Sequence, residues 1–545
     1  MKIISASDYG ILPDIQIAKQ LTRLFCDLKG ISEEKTVAFE KGTYFIERSL
    51  CEQVYRAITN TTARDEYKNP DEVNMHFVGF FLHNISNLTI DGGGSTFVID
   101  GKMTNMIISE CENIIIKNLQ IKTDNPNVHK LTVKKSTLFK VDFELEKSSK
   151  YKSVNGEFEW YGNGYTLGFR ENQNNAFWTG TILPSNKNKL SRTAHPFIMG
   201  ASKIKELAPN IFRVSYLFHK PFKIGQTFYV FDAHRSDVGI FVEKSKNIIL
   251  NNVEQNFNYS LAYVAQDCDT LNIESCSFAP ENDSELELAS LADFIQICMC
   301  RGKVTIKNCD FDGSADDALN VHGIHFGISD IRGNQITVSF MHKQSWGFNP
   351  LHGGDLIAFI NPDTMLTEGE NQIVKSEMID DKNILLTLEN PVNKSFKDFV
   401  IEDLDRCPEL IFKNNSLNRI ITRGILYTSR GKAEIENNHF ISNTMSAILL
   451  SDDAKSWYES GPCKDVTIKD NVFEASFGTP ILIKPENRRR EGFIHSNINI
   501  IGNDFKKYRG TCIKIKSTEN VKIKNNKFRC GKPLKTANCT NVLID

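Results

Sequence analysis

Short segments of one shape recur along this chain: a polar residue, alternating β-branched residues, then Asn and an aromatic. Strong copies occupy residues 302–311, 431–440, 464–473, 498–505 and 519–528, and weaker copies occupy 87–92, 112–119, 246–253, 269–278 and 408–417. The alternation is typical of a strand with one buried face, and the Asn suits a bend because it tolerates left-handed backbone. The closing aromatics at 440, 473, 505 and 528 are 33, 32 and 23 residues apart. A strand-rich repeat of this period predicts an all-β solenoid, a right-handed parallel β-helix.

Two stretches interrupt the repeat. Residues 127–238 and 324–407 carry alternating runs such as TLFKVDFELE, QTFYVFD, QITVSF and NILLTLE, with NG and GN turn pairs. We interpret both as inserted antiparallel β-barrel-like modules that project from loops, because the repeat resumes after each one. The β-helix itself is then predicted to comprise residues 1–126, 239–323 and 408–545. Leucine-rich repeats are disfavoured because the LxxLxL pattern is missing.

Composition excludes several classes of function. The 545 residues include 65 basic and 67 acidic side chains, a net charge of -2, so neither a nucleic acid nor a membrane partner is expected. The first residues, MKIISASDYG, lack the apolar core of a signal peptide, so we expect a cytoplasmic protein, or a secreted one whose signal was removed. The 13 cysteines show no CxxC spacing, which favours reduced core thiols over a metal site. Self-association stays open.

Three aspartates stand out in a second strand of each coil. The segments 290–298, 313–321, 422–428 and 445–451 align with one another, which separates Asp293 and Asp316 by 23 residues. From Asp316 to Arg423 there are 107 residues, and removing the 84 of the second module again leaves 23. We therefore predict that Asp293, Asp316 and Arg423 stack in one column, with coils about 4.8 Å apart. A bend in the chain would bring Asp317 to the same site.

Carboxylates this close together suit acid and base chemistry. Like charges raise the pKa of at least one of them, which a general acid needs, while the others stay ionised as bases. The pair Asp316 and Asp317 could alternatively form a surface turn or bind calcium. An isolated Asp-Asp pair is common, but a third stacked aspartate is not, so we favour catalysis.

Further polar and aromatic residues are candidates for binding a substrate. Trp457 lies in a loop near carboxylates, where an exposed indole suits stacking on the apolar face of a sugar, although loop packing would explain it equally well. His322 follows the aspartate pair and could instead be an oriented core histidine. Arg423 could bind a sugar hydroxyl or hold a carboxylate. The full set of predicted substrate-binding residues is His322, Arg423, Tyr427, Asp453, Trp457 and Glu459.

Several motifs resemble known families. The segments DYG, FEKGTYFI (39–46) and NLTIDGGG (87–94) resemble the opening of pectin-lyase-like β-helix proteins. The central block 292–323, with ITRGIL (421–426) and SWYESGP (456–462), is similar to glycoside hydrolase family 110. That resemblance spans most of the chain, includes both inserted modules and is looser in residues 127–238. It implies an exo-acting α-1,3-galactosidase, a class that includes enzymes acting on blood-group-B-type glycans.

The resemblance also implies a mechanism. The three catalytic aspartates of that family correspond to Asp293, Asp316 and Asp317, the reaction inverts, and no cofactor or metal takes part. By analogy with polygalacturonases, Asp316 is the expected acid, and Asp293 and Asp317 position the water. Three alternatives stay open: a polygalacturonase-like hydrolase of a uronate polymer, a polysaccharide lyase, and a non-catalytic glycan-binding β-helix.

Overall fold

A computed structural model describes the chain except residues 1, 62–73, 155–156, 170–178, 186–188, 194–195, 198–200, 220, 233–234, 283, 285, 507 and 530. It confirms the predicted parallel β-helix, in which successive coils pair strand on strand along three faces. The core is a single continuous cluster of buried side chains from Ile4 to Ile523. Because each coil buries its apolar face only against its neighbours, a chain of this length needs no further division of the core.

The strands fall into three stacks. The first face is built from strands Lys2–Ser5, Lys35–Ala38, Asp269–Glu274, Arg301–Lys307, Glu409–Lys413, Lys432–Glu436, Asp465–Lys469 and His495–Ile501. The second face is built from Thr43–Glu47, Ser277–Phe278, Asp310–Ser314, Ser416–Ile420, His439–Asn443, Val472–Ser476, Asp504–Phe505 and Lys527–Phe528. The long strands Ser86–Asp100, Glu112–Thr123 and Lys246–Gln255 bend across both of these faces. The third face is built from Met75–His83, Thr104–Ser109, Ile240–Glu243, Tyr263–Gln266, Ile295–Cys298, Leu319–Ile324, Ile425–Thr428, Ile448–Leu450 and Ile481–Ile483. Strands Thr511–Lys524 and Lys532–Ile544 continue both the third and the first faces.

The Asn and aromatic residues of the repeat hold the coils in register. Inside the bend between the first two faces, side-chain amides form a buried ladder with N–O distances of 2.9–3.0 Å, through Asn415, Asn438, Asn471, Asn503 and Asn526. The preceding residue of each rung has positive φ, for example 56° at Asn437, as the sequence pattern predicts. Beside this ladder, the rings of Phe440, Phe473, Phe505 and Phe528 stack with centroids 4.9–5.0 Å apart.

An amphipathic α-helix lies at the amino-terminal end. Helix Ala18–Asp27 buries Leu21, Leu24 and Phe25 in the core of the first coils, where Phe25 meets Phe80 with ring centroids 6.1 Å apart. Short 3-10 helices occupy Ala6–Tyr9, Arg48–Leu50 and Lys394–Asp398, and strand Glu52–Tyr55 pairs antiparallel with Met75–His83. Within the described ranges, no helix is long and apolar enough to cross a membrane.

Two antiparallel β-modules project from the coils. The second closes into a six-stranded barrel, Phe326–Arg332, Gln335–Phe340, Leu356–Ile360, Thr367–Met378, Asn383–Leu388 and Val400–Asp403, around its own apolar core. The described strands of the first form a seven-stranded sheet, Val128–Ser136, Lys140–Leu145, Thr179–Ser185, Lys189–Arg192, Ala201–Ala208, Ile211–Tyr216 and Thr227–Asp232. A three-stranded sheet, Tyr151–Val154, Glu157–Gly162 and Tyr165–Phe169, accompanies it. Of the two modules predicted to be barrel-like, the second is therefore a closed barrel.

A buried ion-pair network fixes the barrel against the third face. Asp267, at the end of strand Tyr263–Gln266, accepts hydrogen bonds from Arg406 Nη1 at 2.7 Å and lies 3.0 Å from His352 Nε2. Arg406 also contacts Asp355 within the module, and its side chain is 6% exposed. Ion pairs removed from water are costly to break, so this junction holds the barrel beside the third face.

Candidate active site

The register of the third face places two of the three candidate aspartates in one column. Ile295 pairs with Leu319, and two residues before each of these lie Asp293 and Asp317. The prediction that Asp316 stacks on Asp293 is therefore wrong by one residue. The coil from Ile295 to Leu319 spans 24 residues, not 23, and a slip of one residue exchanges the two neighbouring aspartates.

Backbone hydrogen bonds to carboxylates join this column from coil to coil. The Asp317 N–H donates to Asp293 Oδ1 at 3.1 Å, and the Arg423 N–H donates to Asp317 Oδ1 at 2.9 Å. Arg423 also binds both oxygens of Asp317 with its guanidinium, at 2.9 and 2.8 Å. Arg423 thus lies in the predicted column and holds a carboxylate. A bidentate pair of this kind fixes the carboxylate plane.

A corner of the chain brings Asp316 to the same place. Gly313 has a φ of 81°, and a Cβ there would lie 2.5 Å from the carbonyl oxygen of Glu287, so glycine is required where the strand ends. The chain then bends through residues 315–318. The side chain of Asp316 is 14% exposed, against 1% for Asp317, so Asp316 is the more accessible of the pair.

Two arginines from the first module and its return segment bind Asp316. Arg235 contacts Asp316 Oδ2 with Nη2, and Arg192 Nη2 lies 3.3 Å from the same oxygen. The hydroxyl of Thr422 lies between the two neighbouring carboxylates, in contact with Asp317 Oδ1 and 3.1 Å from Asp316 Oδ1. Asp316 therefore lies at the point where the first module meets the coils.

The three carboxyl groups have different electrostatic environments. Burial, reinforced by the charges of Asp316 and Asp317, raises the pKa of Asp293 well above its usual value. Burial also raises the pKa of Asp317, although Arg423 opposes it. For Asp316, the charges of Arg235 and two further guanidinium groups outweigh burial and lower the pKa. Groups with separated pKa values in one site are the arrangement that acid and base catalysis uses.

The same three aspartates are close enough to hold a cation. Oxygens of Asp293, Asp316 and Asp317 all lie within 4.8 Å of one another. However, Arg192, Arg235 and Arg423 surround the group and supply compensating positive charge. A cation would have to compete with three guanidinium groups, so the arrangement fits proton transfer better than metal binding.

The loop after strand Ile448–Leu450 presents Trp457. Asp453 caps this loop, because its carboxylate accepts the backbone N–H groups of Lys455, Ser456 and Trp457 at 2.8–3.1 Å. The Asp453 carboxylate, which the sequence predicts to bind substrate, is therefore occupied by hydrogen bonds from the backbone of its own loop. The Trp457 indole is 43% exposed and stacks against His342 of the barrel, with ring centroids 4.5 Å apart.

Polar side chains line the outward surface of the third face next to the aspartates. Ile295, Ile297, Leu319 and Val321 point into the core, so the residues between them face the opposite side. We call the outward residues Gln296, Asn320 and His322 the cleft floor. Glu459 lies over it, accepting a 2.9 Å hydrogen bond from Asn320 Nδ2, and His322 Nε2 lies 3.9 Å from the same Glu459 oxygen.

Two further aromatic residues lie near this part of the chain, one of them predicted to bind substrate. Tyr427 does not line the cleft: it is fully buried in the β-helix core, where its hydroxyl donates to the Gly431 carbonyl at 2.7 Å. The prediction that Tyr427 binds substrate is therefore wrong, because its side chain points inward on the strand. Trp346 anchors the barrel loop that carries His342, with its indole N–H donating to Lys343 O at 2.7 Å.

Several residues of this site cannot be identified from the sequence alone. Arg192 and Arg235 come from a module far away in sequence, and no pattern distinguishes them from other arginines. The contact of His342 with Trp457 is likewise invisible in a single sequence. Gln296 and Asn320 did leave a signal: each follows an aspartate of the column by three residues.

Known proteins are similar to this chain over most of its length. Residues 335–398 match the family described as GLAA-B beta-barrel domain II, and residues 409–545 match the right handed beta helix region. Alpha-1,3-galactosidase A of Bacteroides thetaiotaomicron is 33% identical over 522 residues, covering 94% of this chain and 89% of that protein. Alpha-1,3-galactosidase A of Akkermansia muciniphila is 30% identical, covering 82% and 74%. Among solved structures, the A-module of a mannuronan C-5 epimerase from Azotobacter vinelandii has a TM-score of 0.42 at 10% identity, covering 99% of both chains.

Proposed function

Because the chain belongs to the α-1,3-galactosidase family and is a glycoside hydrolase, we propose that it releases terminal α-1,3-linked galactose from glycans with inversion at the anomeric carbon. The observation that carries this proposal is the cluster of Asp293, Asp316 and Asp317, whose oxygens lie within 4.8 Å of one another. Linear and blood-group-B-like galactosides are both substrates of the proposed class.

Accessibility supports Asp316 as the acid. Its side chain is 14% exposed, whereas Asp293 and Asp317 are 2% and 1% exposed, so Asp316 is best placed to reach a glycosidic oxygen. The Thr422 hydroxyl contacts two carboxyl groups but has only one proton to donate. If it donates to Asp317, its contact with Asp316 is a hydrogen bond only when Asp316 is protonated and donates to the Thr422 oxygen. Asp293 and Asp317 then act as the carboxylates that position and deprotonate the water.

The arginines oppose this assignment in the unliganded protein. They lower the pKa of Asp316, whereas the raised pKa of Asp293 favours a proton there. The side chain of Arg192 is 61% exposed, so an entering sugar displaces it readily. We propose that substrate binding removes the charge of Arg192 while Arg235 stays, which raises the pKa of Asp316 and favours the transfer of a proton to it from the other two carboxyl groups. A coupled set of carboxyls exchanges protons in this way, because the pKa values belong to the group.

The surroundings of the cluster fit an exo-acting enzyme. Arg192 from the first module contacts Asp316 directly. His342 of the barrel, which stacks against Trp457, lies within the influence of the charges of His322 and Arg235. The segment around Asn60 reaches the same place, since Arg235 Nη1, from the guanidinium that binds Asp316, donates to Asn60 Oδ1 at 3.3 Å. Walls supplied by separate parts of the chain favour a pocket for a chain end over an open groove.

The arginine pairings also bear on the uronate alternative. A uronate carboxylate needs a cationic partner in its subsite. Arg192 and Arg235 are engaged by Asp316, and Arg423 is engaged by Asp317. Guanidinium groups committed to catalytic carboxylates favour a neutral sugar such as galactose.

Leaving-group dependence tests the roles. A general acid is dispensable when the leaving group needs no proton, so Asp316→Asn should lose about 10²–10⁴-fold on an α-1,3-galactobioside but far less on a dinitrophenyl α-galactoside. Asp293→Asn and Asp317→Asn should lose activity on both substrates. If Asp293→Asn showed the selective rescue instead, Asp293 would be the acid. Absence of galactose release by the wild type would refute the proposed function.

A further inference from the structure

Two buried amide oxygens on the cleft floor find no hydrogen-bond donor among the residues that the structure describes. They are Gln296 Oε1 and Asn320 Oδ1, whose residues are only 1% and 3% exposed. A buried acceptor without a donor is costly, and native proteins rarely leave one unless something else fills it. Both oxygens belong to adjacent strands, where Gln296 and Asn320 pair directly in register.

The orientation of the Gln296 amide is set by His322. The Nδ1 of His322 lies 2.8 Å from the Gly323 carbonyl oxygen, which can only accept, so the proton resides on Nδ1. Nε2 then carries a lone pair and accepts the Gln296 Nε2–H at 2.9 Å. The carbonyl end of Gln296 must therefore point away from His322. His322 is a positioning residue in this arrangement.

The Asn320 amide is oriented by Glu459. Asn320 Nδ2 donates to Glu459 Oε1 at 2.9 Å, so its oxygen cannot occupy that side. Glu459 is itself held in place, because Ile324 and Glu459 pair as neighbouring antiparallel strands. Its charge also acts on the guanidinium of Arg423, which binds Asp317. Neither amide can be flipped without losing a hydrogen bond.

Each of the two oxygens belongs to a residue that lies three positions after a catalytic aspartate. Gln296 is three residues after Asp293, and Asn320 is three residues after Asp317, on parallel strands. Three residues of strand span about 10 Å, which the hydroxyl groups of one sugar ring bound against the carboxylates can bridge.

We propose that Gln296 and Asn320 are specificity-determining residues whose preoriented amide oxygens each accept a hydrogen bond from one hydroxyl of the sugar that is cleaved off. This inference rests on the proposed function, and it adds which atoms recognise the sugar. A site that already bears the cost of two unpaired acceptors discriminates strongly, because a sugar lacking the matching hydroxyl leaves the acceptor unpaired.

The test combines substitutions in the enzyme with removal of single hydroxyl groups from the substrate, as in a double-mutant cycle. The kcat/KM for nitrophenyl α-galactoside is measured beside its 2-, 3-, 4- and 6-deoxy analogues, for the wild type and for Gln296→Met and Asn320→Leu. We expect two of the four deoxy analogues to lose roughly 10- to 100-fold with the wild type. In each variant, the loss of kcat/KM caused by one of these two missing hydroxyls, the deoxy penalty, should disappear.

One variant serves as a matched control. Gln266 is an amide on the same face whose oxygen and nitrogen are both satisfied, by Thr59 N at 3.0 Å and Ala57 O at 2.9 Å. Gln266→Met should therefore keep both penalties. Melting temperatures of all variants identify any that fail to fold.

A binding experiment distinguishes failure of this inference from failure of the proposed function. Asp316→Asn, alone and combined with each amide variant, is titrated with methyl α-galactoside and its deoxy analogues. Turnover by the wild type with equal deoxy penalties in wild type and amide variants would overturn the inference alone. Binding with the expected penalties but no turnover would overturn the proposed function alone, and neither binding nor turnover would overturn both.

Discussion

Replacing Thr422 by valine removes one hydroxyl from between two carboxylates that we propose to be catalytic. Thr422 is 4% exposed, and its hydroxyl contacts Asp317 Oδ1 and lies 3.1 Å from Asp316 Oδ1. Valine has nearly the same shape, so Thr422→Val leaves no cavity. The single hydroxyl proton makes one hydrogen bond to a charged group, which contributes about 1.5–3 kcal/mol. If that contribution is present in the transition state, kcat/KM falls by roughly 10- to 150-fold.

The assay is galactose release from an α-1,3-galactobioside by Thr422→Val and by Thr422→Ser, which keeps the hydroxyl. We expect the serine variant to stay within about fivefold of the wild type, because the β-methyl group makes no polar contact and the loss is one of packing. Urea unfolding of both variants separates catalysis from stability. A valine variant within twofold of the wild type would refute the claim that Thr422 organises the two carboxylates.

Three further predictions follow from the coils and the cleft. Asn471→Ala should lower the free energy of unfolding by about 3–5 kcal/mol, because the backbone N–H and the side-chain amide of Asn438, each 2.9 Å from Asn471 Oδ1, would lose their acceptor. A loss under 1 kcal/mol in urea unfolding would contradict the stabilising role of the ladder. Burial lowers the pKa of His495 to about 4, so its stabilising contribution is complete above the unfolded pKa near 6.5 and is lost as pH falls. The loss should reach about 2 kcal/mol at pH 5, and His495→Gln should flatten that decline; parallel stability curves would contradict it. Trp457→Ala should raise KM roughly tenfold with little change in kcat, whereas Trp457→Phe should not, and an unchanged KM would exclude stacking on the sugar.

The fold was predictable because the repeat acts locally. Each Asn at a bend and each closing Phe meets its equivalent in the next coil, so one pattern specifies every contact. The column of aspartates was harder, because a bend absorbs one extra residue without disturbing the paired strands. Ser290 bridges to Ser314, 24 residues later, so aligning the serines instead of the Ala-Asp pairs gives the observed register.

The parts of the site that escaped prediction come from outside the coils or depend on amide orientation. Arg192 and Arg235 reach Asp316 from the first module, and long-range contacts of this kind leave no periodic trace. Tyr427 was wrongly predicted as a binding residue because side chains alternate along a strand, and Tyr427 falls on the side that faces the core. The unpaired oxygen of Asn320 is visible only once its partner Glu459 is located.

The most direct test of the central claim is the anomeric configuration of the first galactose released. Proton NMR is recorded within the first minutes of hydrolysis of an α-1,3-galactobioside, before mutarotation. An acid and a water-activating base, without a nucleophile at the anomeric carbon, predict β-galactose as the initial product. Initial α-galactose would mean that one of Asp293, Asp316 and Asp317 attacks the sugar, and no galactose at all would contradict the proposed substrate.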